Sequence, residues 1–385
     1  MNTVQSLLRR VVKGQNVERI TVDVGSFVVE PGQEPGGAVL QLAQTGAIEG
    51  VADPIHHLLR LTAAGAVGLG SDYAHCGWVQ DDSDETAGAR YRDPFGVTWD
   101  WTDGTPVAVG HPFERATRRE IARMRKPALP GRVAFPDTAI VKDAGMAIVC
   151  DAPLPGLLKL CFRMRGRQQF LSDMTSDTKT AGALLEWATE VICDAYMTLL
   201  AKLPATPDIV FYEDNLGHQL GLFVSEEQFR TSLAPGMAKI FAEIRKRCGA
   251  GIAFVGRGAI SPLLHDLCDL GLSFLDLQTA AAGMRVEEVR RRIPETVVLH
   301  GAADFDALCK ALRAGRADAL LDIACSLALA WPVIAAPIGR LGTATTRDDI
   351  FWAADFMKAL DLGKKASRTE IIAERTPHRD PRVTT

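Results

Sequence analysis

The densest run of groups able to do acid–base work is Glu213-Asp214-Asn215-Leu216-Gly217-His218-Gln219. It follows directly on the apolar stretch Asp208–Tyr212 (DIVFY), which reads as a buried strand. Asp214 and His218 are the candidate general acid or base there, provided that burial moves a pKa toward neutrality. Tyr212, Glu213 and Gln219 are candidate substrate contacts. The competing reading is a solvated loop that caps the next helix. A second group is Val255-Gly256-Arg257-Gly258. Two glycines let backbone come close to a ligand, and the fork of Arg257 matches a carboxylate or phosphate. Its competing reading is a tight turn with a solvated arginine. The pattern is neither a Walker nor a Rossmann fingerprint.

His300 ends a third strand, just before Gly301. It faces a ligand or is a hydrogen-bonded core histidine, and the sequence weights the two equally. Asp72, Tyr73, His75 and Cys76 make only a loose metal-like cluster, because zinc needs three or four converging ligands. Asp72 is kept as a candidate substrate contact and no metal is expected. His56-His57 are adjacent on an expected helix and point apart. The basic run Arg115–Lys126 reads as a solvated helix face.

The elements that must position these groups alternate through the last two thirds of the chain. Expected strands are Met146–Cys150, Asp208–Tyr212, Gly251–Val255, Ser273–Leu277, Thr296–His300 and Val333–Pro337, with Ile20–Phe27 and Ala66–Gly70 earlier. Expected helices are Thr178–Leu203, a helix from Ser225 to about Cys248, Ser261–Leu270, Val286–Ile293, Asp304–Ala314 and Arg347–Leu360. Wholly apolar strands, each followed by a helix, indicate a parallel sheet covered on its outside. So many units in one chain favour a single (β/α)8 TIM barrel, whose active site lies at the C-terminal ends of the strands. The barrel is expected over residues 1–363. An excursion at 71–136 contains a hairpin around Asp103-Gly104 and stands near the barrel mouth. Residues 364–385 are expected to be a flexible tail.

The chain has 385 residues, 43 Lys plus Arg against 47 Asp plus Glu, and 47% hydrophobic residues. A near-balanced charge gives no broad footprint for nucleic acid. No stretch reaches the roughly 20 apolar residues of a membrane span. Met1–Gly14 lacks the pattern of a secretory signal, so a cytoplasmic location is the default expectation. None of the eight cysteines is spaced as CxxC, and they read as reduced core thiols.

The segment Asp214–Ser225 (DNLGHQLGLFVS), with Glu226, Phe229 and Pro235, resembles the DDxGxQxGxxxSPExFxxxxxP stretch of the uroporphyrinogen decarboxylase superfamily. Arg92–Trp99 is similar to the DEWGxxW of its corrinoid-dependent methyltransferase branch, and His111-Pro112 to its HPL. Leu160–Leu171, which contains Arg165-Gly166, is similar to its LRGxxxFL, and Leu299-His300-Gly301 to a strand ending in glycine. The pieces run in the family's order from about Val11 to Leu360. The resemblance implies a TIM barrel of the uroporphyrinogen decarboxylase type. Arg165 falls in a matching motif and is a further candidate substrate contact.

The departures shape the functional expectation. The haem-pathway decarboxylase grips carboxylates with an arginine-rich motif where this chain reads Val22–Phe27 (VDVGSF) without arginine. At the positions of the zinc ligands of the thiol-methylating members stand Val255, Arg257 and, near the third, Ile338. The leading expectation is a zinc-independent methyltransferase that moves a methyl group between a small molecule and a corrinoid or folate-like carrier. Its catalytic candidates are Asp214, His218 and Arg257, and its candidate partners are a corrinoid protein and a second copy of the chain, with neither nucleic acid nor membrane. Two alternatives remain: a cofactor-free decarboxylase acting on an electron-rich ring acid, and a non-catalytic binder of a small or tetrapyrrole-like ligand.

Overall fold

The computed structural model describes residues 20–28, 41–42, 44–53, 58–79, 90–100, 106–127, 132–279, 281–337, 345–362 and 364–375. The expectations at His56-His57, Asp103-Gly104, Ile338 and 376–385 lie outside them.

Eight parallel strands form the barrel: β1 (Thr21–Val22), β2 (Tyr73–Val79), β3 (Ala147–Cys150), β4 (Ile209–Asp214), β5 (Gly251–Gly256), β6 (Phe274–Leu277), β7 (Val298–Ala303) and β8 (Val333–Pro337). Their lateral order is β1-β8-β7-β6-β5-β4-β3-β2. Asp72, just before β2, closes the ring against β1. Its backbone N–H donates to the Val22 carbonyl at 2.7 Å, and its carboxylate accepts from the Val22 N–H at 2.9 Å. The chain is therefore a TIM barrel of the expected type.

Successive side chains of a strand point to opposite faces. Tyr73, Ala147, Val149, Ile209, Phe211, Ala253, Phe274, Val298 and Ile334 pack together inside the barrel. Their neighbours Cys76, Cys150, Val210, Tyr212, Ile252, Phe254, Leu275, Leu299 and Ala335 belong to the larger core that lies under the helical layer. This two-residue period decides which polar side chain at each strand end enters the lumen.

Three expectations are corrected. Ala66–Gly70 is not a strand: Ala63–Gly68 is a helix whose first turn is capped by the Thr62 hydroxyl, and strand β2 begins only at Tyr73. Short apolar runs fit either period, and the Thr62 cap decides this one. The stretch Ile20–Phe27 divides, with Thr21–Val22 in the barrel and Ser26–Val28 in an antiparallel sheet with Leu58–Leu61 and Ile48–Asp53. The tail is not wholly loose. Lys365–Arg375 is a helix; Arg368 stacks 5.1 Å from the Trp331 ring, and the Cys325 thiol donates to the Ile371 carbonyl at 3.0 Å.

In the excursion, Thr98–Asp100 pairs antiparallel with Arg90–Arg92 and with Val107–Gly110. The following segment packs on the helical layer: Phe113 N–H donates to the Met164 carbonyl at 2.8 Å, and Lys126 pairs with Asp194 at 2.6 Å. The arginines 118, 119, 123 and 125 are exposed. None of the eight cysteines is in a disulfide, and six are buried. No described helix is long and apolar enough to cross a membrane.

Candidate active site

The lumen period places Asp23 beyond β1, His75 in β2, Asp151 beyond β3, Asp276 in β6 and His300 in β7. All stand toward the C-terminal ends of their strands. Their side chains form one chain of contacts. Nδ1 of His300 lies 2.7 Å from Oδ2 of Asp276, and its Nε2 lies 3.0 Å from Oδ2 of Asp23. Nε2 of His75 lies 3.0 Å from both oxygens of Asp23, and its Nδ1 lies 2.7 Å from Oδ1 of Asp151. Arg60 closes the far end, its Nε and Nη2 donating to Asp151 Oδ2 at 2.9 and 2.7 Å.

Arg60 comes from outside the barrel, on Leu58–Leu61. Its Nη1 donates to the carbonyls of Gly77 and Trp78 at 3.2 Å each. Gly77 has φ +148°, and a Cβ there would stand 2.8 Å from Arg60 Nη2. A glycine is needed at that position for the guanidinium to enter.

With both imidazoles protonated the chain alternates in sign from Arg60 to Asp276, three cations against three carboxylates. Buried charges persist only when paired in this way. Burial opposes charge on His75, but Asp23 and Asp151 outweigh it and raise its pKa to about 10. Burial also opposes charge on His300, and Asp23 and Asp276 raise it to about 9. Burial would raise the Asp23 pKa, yet the two imidazoles hold it well below the usual carboxylate range. Asp151 is likewise lowered, by His75 and Arg60 against its burial. Asp276 is the most exposed member of the chain, at 16%, against 1% for Arg60 at the other end. Asp276 is the end that solvent or a ligand reaches. Phe211 presents itself edge-on to both imidazoles, 5.8 Å from His75 and 5.2 Å from His300.

The structure brings few of the sequence-nominated residues to this array. His300 is in it. Asp214 is one residue out of phase and points to the outer face. It is fully buried and accepts the backbone N–H groups of Leu158, Lys159 and Asn215 at 3.0, 2.9 and 2.8 Å. It thereby caps the helix Leu157–Arg165. Burial raises its pKa to about 6 against those donors. Tyr212 points the same way, its hydroxyl accepting the Leu157 N–H at 2.8 Å. His218 is exposed on the short hairpin Gly217–His218/Gly221–Leu222. Glu213 pairs with Lys159 at 2.6 Å, and Gln219 donates to Gln278 at 3.3 Å. Asp72 lies at the opposite, N-terminal end of the barrel, beside Lys358 at 3.3 Å. Arg165 sits in the helical layer, paired with Asp173 at 2.7 Å. Arg257, half-buried, follows β5 on the lumen side of the period.

The loops carrying the 213–219 turn and Arg257 are joined, because Ala259 N–H donates to the His218 carbonyl at 2.7 Å. Asp23, Asp151, Asp276 and Arg60 are not among the residues the sequence nominates, and Arg60 carries no local signal. The three acids share one signal, an acid inside or directly after an apolar run: VDV, AIVCD and FLDL.

A zinc centre like that of the thiol-methylating members does not fit β5. Val255 has no donor atom and the Arg257 guanidinium has no lone pair to give. No three His, Cys, Asp or Glu side chains among the described residues are disposed to hold a metal ion.

A closed eight-stranded α/β barrel with its buried polar cluster at the strand C-termini defines the class of TIM-barrel proteins in which chemistry is built on that face. The family model described as "Uroporphyrinogen decarboxylase (URO-D)" matches residues 95–315, and the chain belongs to that family. A solved structure titled "methyltransferase from Methanosarcina mazei" superposes with a TM-score of 0.59 at 17% identity, covering 96% of this chain and 98% of that one. At that identity the likeness is one of fold. A search of curated protein sequences finds no match.

Proposed function

We propose that the protein is a methyltransferase that moves a methyl group between a heteroatom of a small molecule and a carrier of the corrinoid or folate-like kind. The observation that supports it is the charge-alternating array His75–Asp23–His300–Asp276, with its accessible end at the strand C-termini. In the demethylating direction the C–X bond breaks and its electron pair stays on the heteroatom X. The methyl carbon accepts a new electron pair from the carrier. The heteroatom then needs one proton, and Asp276 is placed to hand it over from His300 Nδ1. His300 is recharged by solvent after product leaves. In the other direction the same groups remove that proton. Asp23 and His75 keep the His300 charge compensated while the proton moves. No resident metal enters this scheme, because proton delivery to X does the work that a metal does for a thiolate. Membership in the family and the fold shared with a methyltransferase support the reaction type. They leave the carrier and the substrate as parts of the proposal.

The test is methyl transfer from simple O- and N-methyl compounds to free cob(I)alamin, followed by visible absorption. Methylation by the wild type, lost in Asp276→Asn, supports the proposal. Carbon dioxide released from ring acids with no methyl transfer would instead select decarboxylation on the same array. Ligand binding with neither reaction would select the non-catalytic role.

A further inference from the structure

The cations and carboxylates of the buried array cancel, and Lys159 is matched by Glu213. Arg257 is not matched. It is half-buried at the end of β5 and has neither a hydrogen-bond nor an ion-pair partner among the described residues. The turn that carries it is fixed. Gly258, at φ +87°, lies so close to Gly217 that a Cβ would stand 2.4 Å from the Gly217 carbonyl oxygen. Gly258 N–H also donates to Gln278 Oε1 at 3.0 Å. A second polar atom nearby is unsatisfied. Asp214 is in register with Gly256, so the next residues out, Asn215 and Arg257, lie side by side at the mouth. Asn215 Oδ1 is buried without a partner. Buried polar atoms are rarely left so. The Arg257 guanidinium is open to solvent at the mouth, and its fork is free to take an anion.

We infer that the small molecule bound at the mouth carries an anionic group, a carboxylate or a phosphate, seated on Arg257. The register bounds the spacing of the two ends. Val255 pairs with Asp276, so Arg257 stands two residues farther out on the neighbouring strand, roughly 8 Å from Asp276 between Cα atoms. The spacer between the anion and the reacting heteroatom is accordingly taken as short, a single aromatic ring or an aliphatic chain of similar reach. This names the substrate class of the proposed methyl transfer and rests on that reading for the reacting end only.

Isothermal titration of the full chain with benzoate, with its uncharged isostere benzamide and with inorganic phosphate tests the anion seat without any turnover. Benzoate or phosphate should bind the wild type, and benzamide should bind far more weakly than benzoate. Arg257→Gln should lose about ten- to a hundredfold in affinity. Arg257→Lys, which keeps the charge and loses the fork, should fall in between. Equal binding of benzoate by wild type and Arg257→Gln, equal binding of benzoate and benzamide, or no binding of either anion would overturn the inference. Asp276→Asn should keep benzoate affinity. Failure of methyl transfer with an intact Arg257-dependent anion site would therefore remove the proposed reaction and leave the seat standing.

Discussion

Oδ2 of Asp23 lies 3.0 Å from Nε2 of His300, a residue 277 positions away in the chain. The same carboxylate meets His75, so one acid from the first strand end joins two imidazoles from the second and seventh strands. Asp23→Ala should leave two buried imidazoles without their shared counter-charge. Stability should fall by about 3–5 kcal/mol, and both histidines should titrate at lower pH when followed by NMR. An Asp23→Ala protein as stable as the wild type would show that the carboxylate is not the centre of the array.

Asp276→Asn and His300→Asn should lower the rate of methyl transfer by about 10²- to 10⁴-fold, the usual worth of a positioned acid. Their circular dichroism spectra should match the wild type. A rate within twofold of wild type in either variant would move the chemistry elsewhere.

Asp214→Asn should act on stability. The carboxylate accepts two backbone N–H groups at a helix start and that of Asn215, and an amide there places its own N–H₂ toward some of them. Urea unfolding should show a loss of about 1–3 kcal/mol, while turnover by the folded fraction stays near wild type. Abolished turnover at unchanged stability would return Asp214 to the catalytic role that its sequence context suggests.

Gly77→Ala should push Arg60 off Asp151, because the new methyl would stand 2.8 Å from Nη2 at a backbone angle that alanine tolerates poorly. The expected cost is about 1–3 kcal/mol, with a change in the His75 ring resonances. Unaltered His75 resonances would separate Arg60 from the array.

The array makes stability depend on pH in two directions. The folded pKa values of His75 and His300, about 10 and about 9, lie above the ordinary 6.5. Their contribution is complete below about pH 6.5 and is lost as pH rises through 9 and 10. Asp23 and Asp151 are shifted the opposite way, so their contribution is complete above roughly pH 4 and is lost on further acidification. Unfolding free energies measured at pH 6, 8 and 10 should fall with pH in the wild type and fall less in His300→Gln. A flat wild-type profile, or the same slope in both proteins, would contradict the charged-pair description.

Alternating apolar strands and helices, their parallel arrangement and the barrel they close were legible in the sequence, because hydrophobic period and strand burial are local properties. His300 and Arg257 were also legible as strand-end residues. The choice between Glu213 and Asp214 was not. A strand switches faces at every residue, and only packing against the helix Leu157–Arg165 fixes which face is the lumen. Nor could local pattern rank Asp23, Asp151 and Asp276, each a lone acid in apolar surroundings. Their partners come from other strands, and Arg60 comes from a sheet outside the barrel. The sequence by itself determined the scaffold and which strand ends carry polar groups. The tertiary structure alone decided which of those groups share one low-dielectric space, because pairing between charges depends on distance through space and not along the chain.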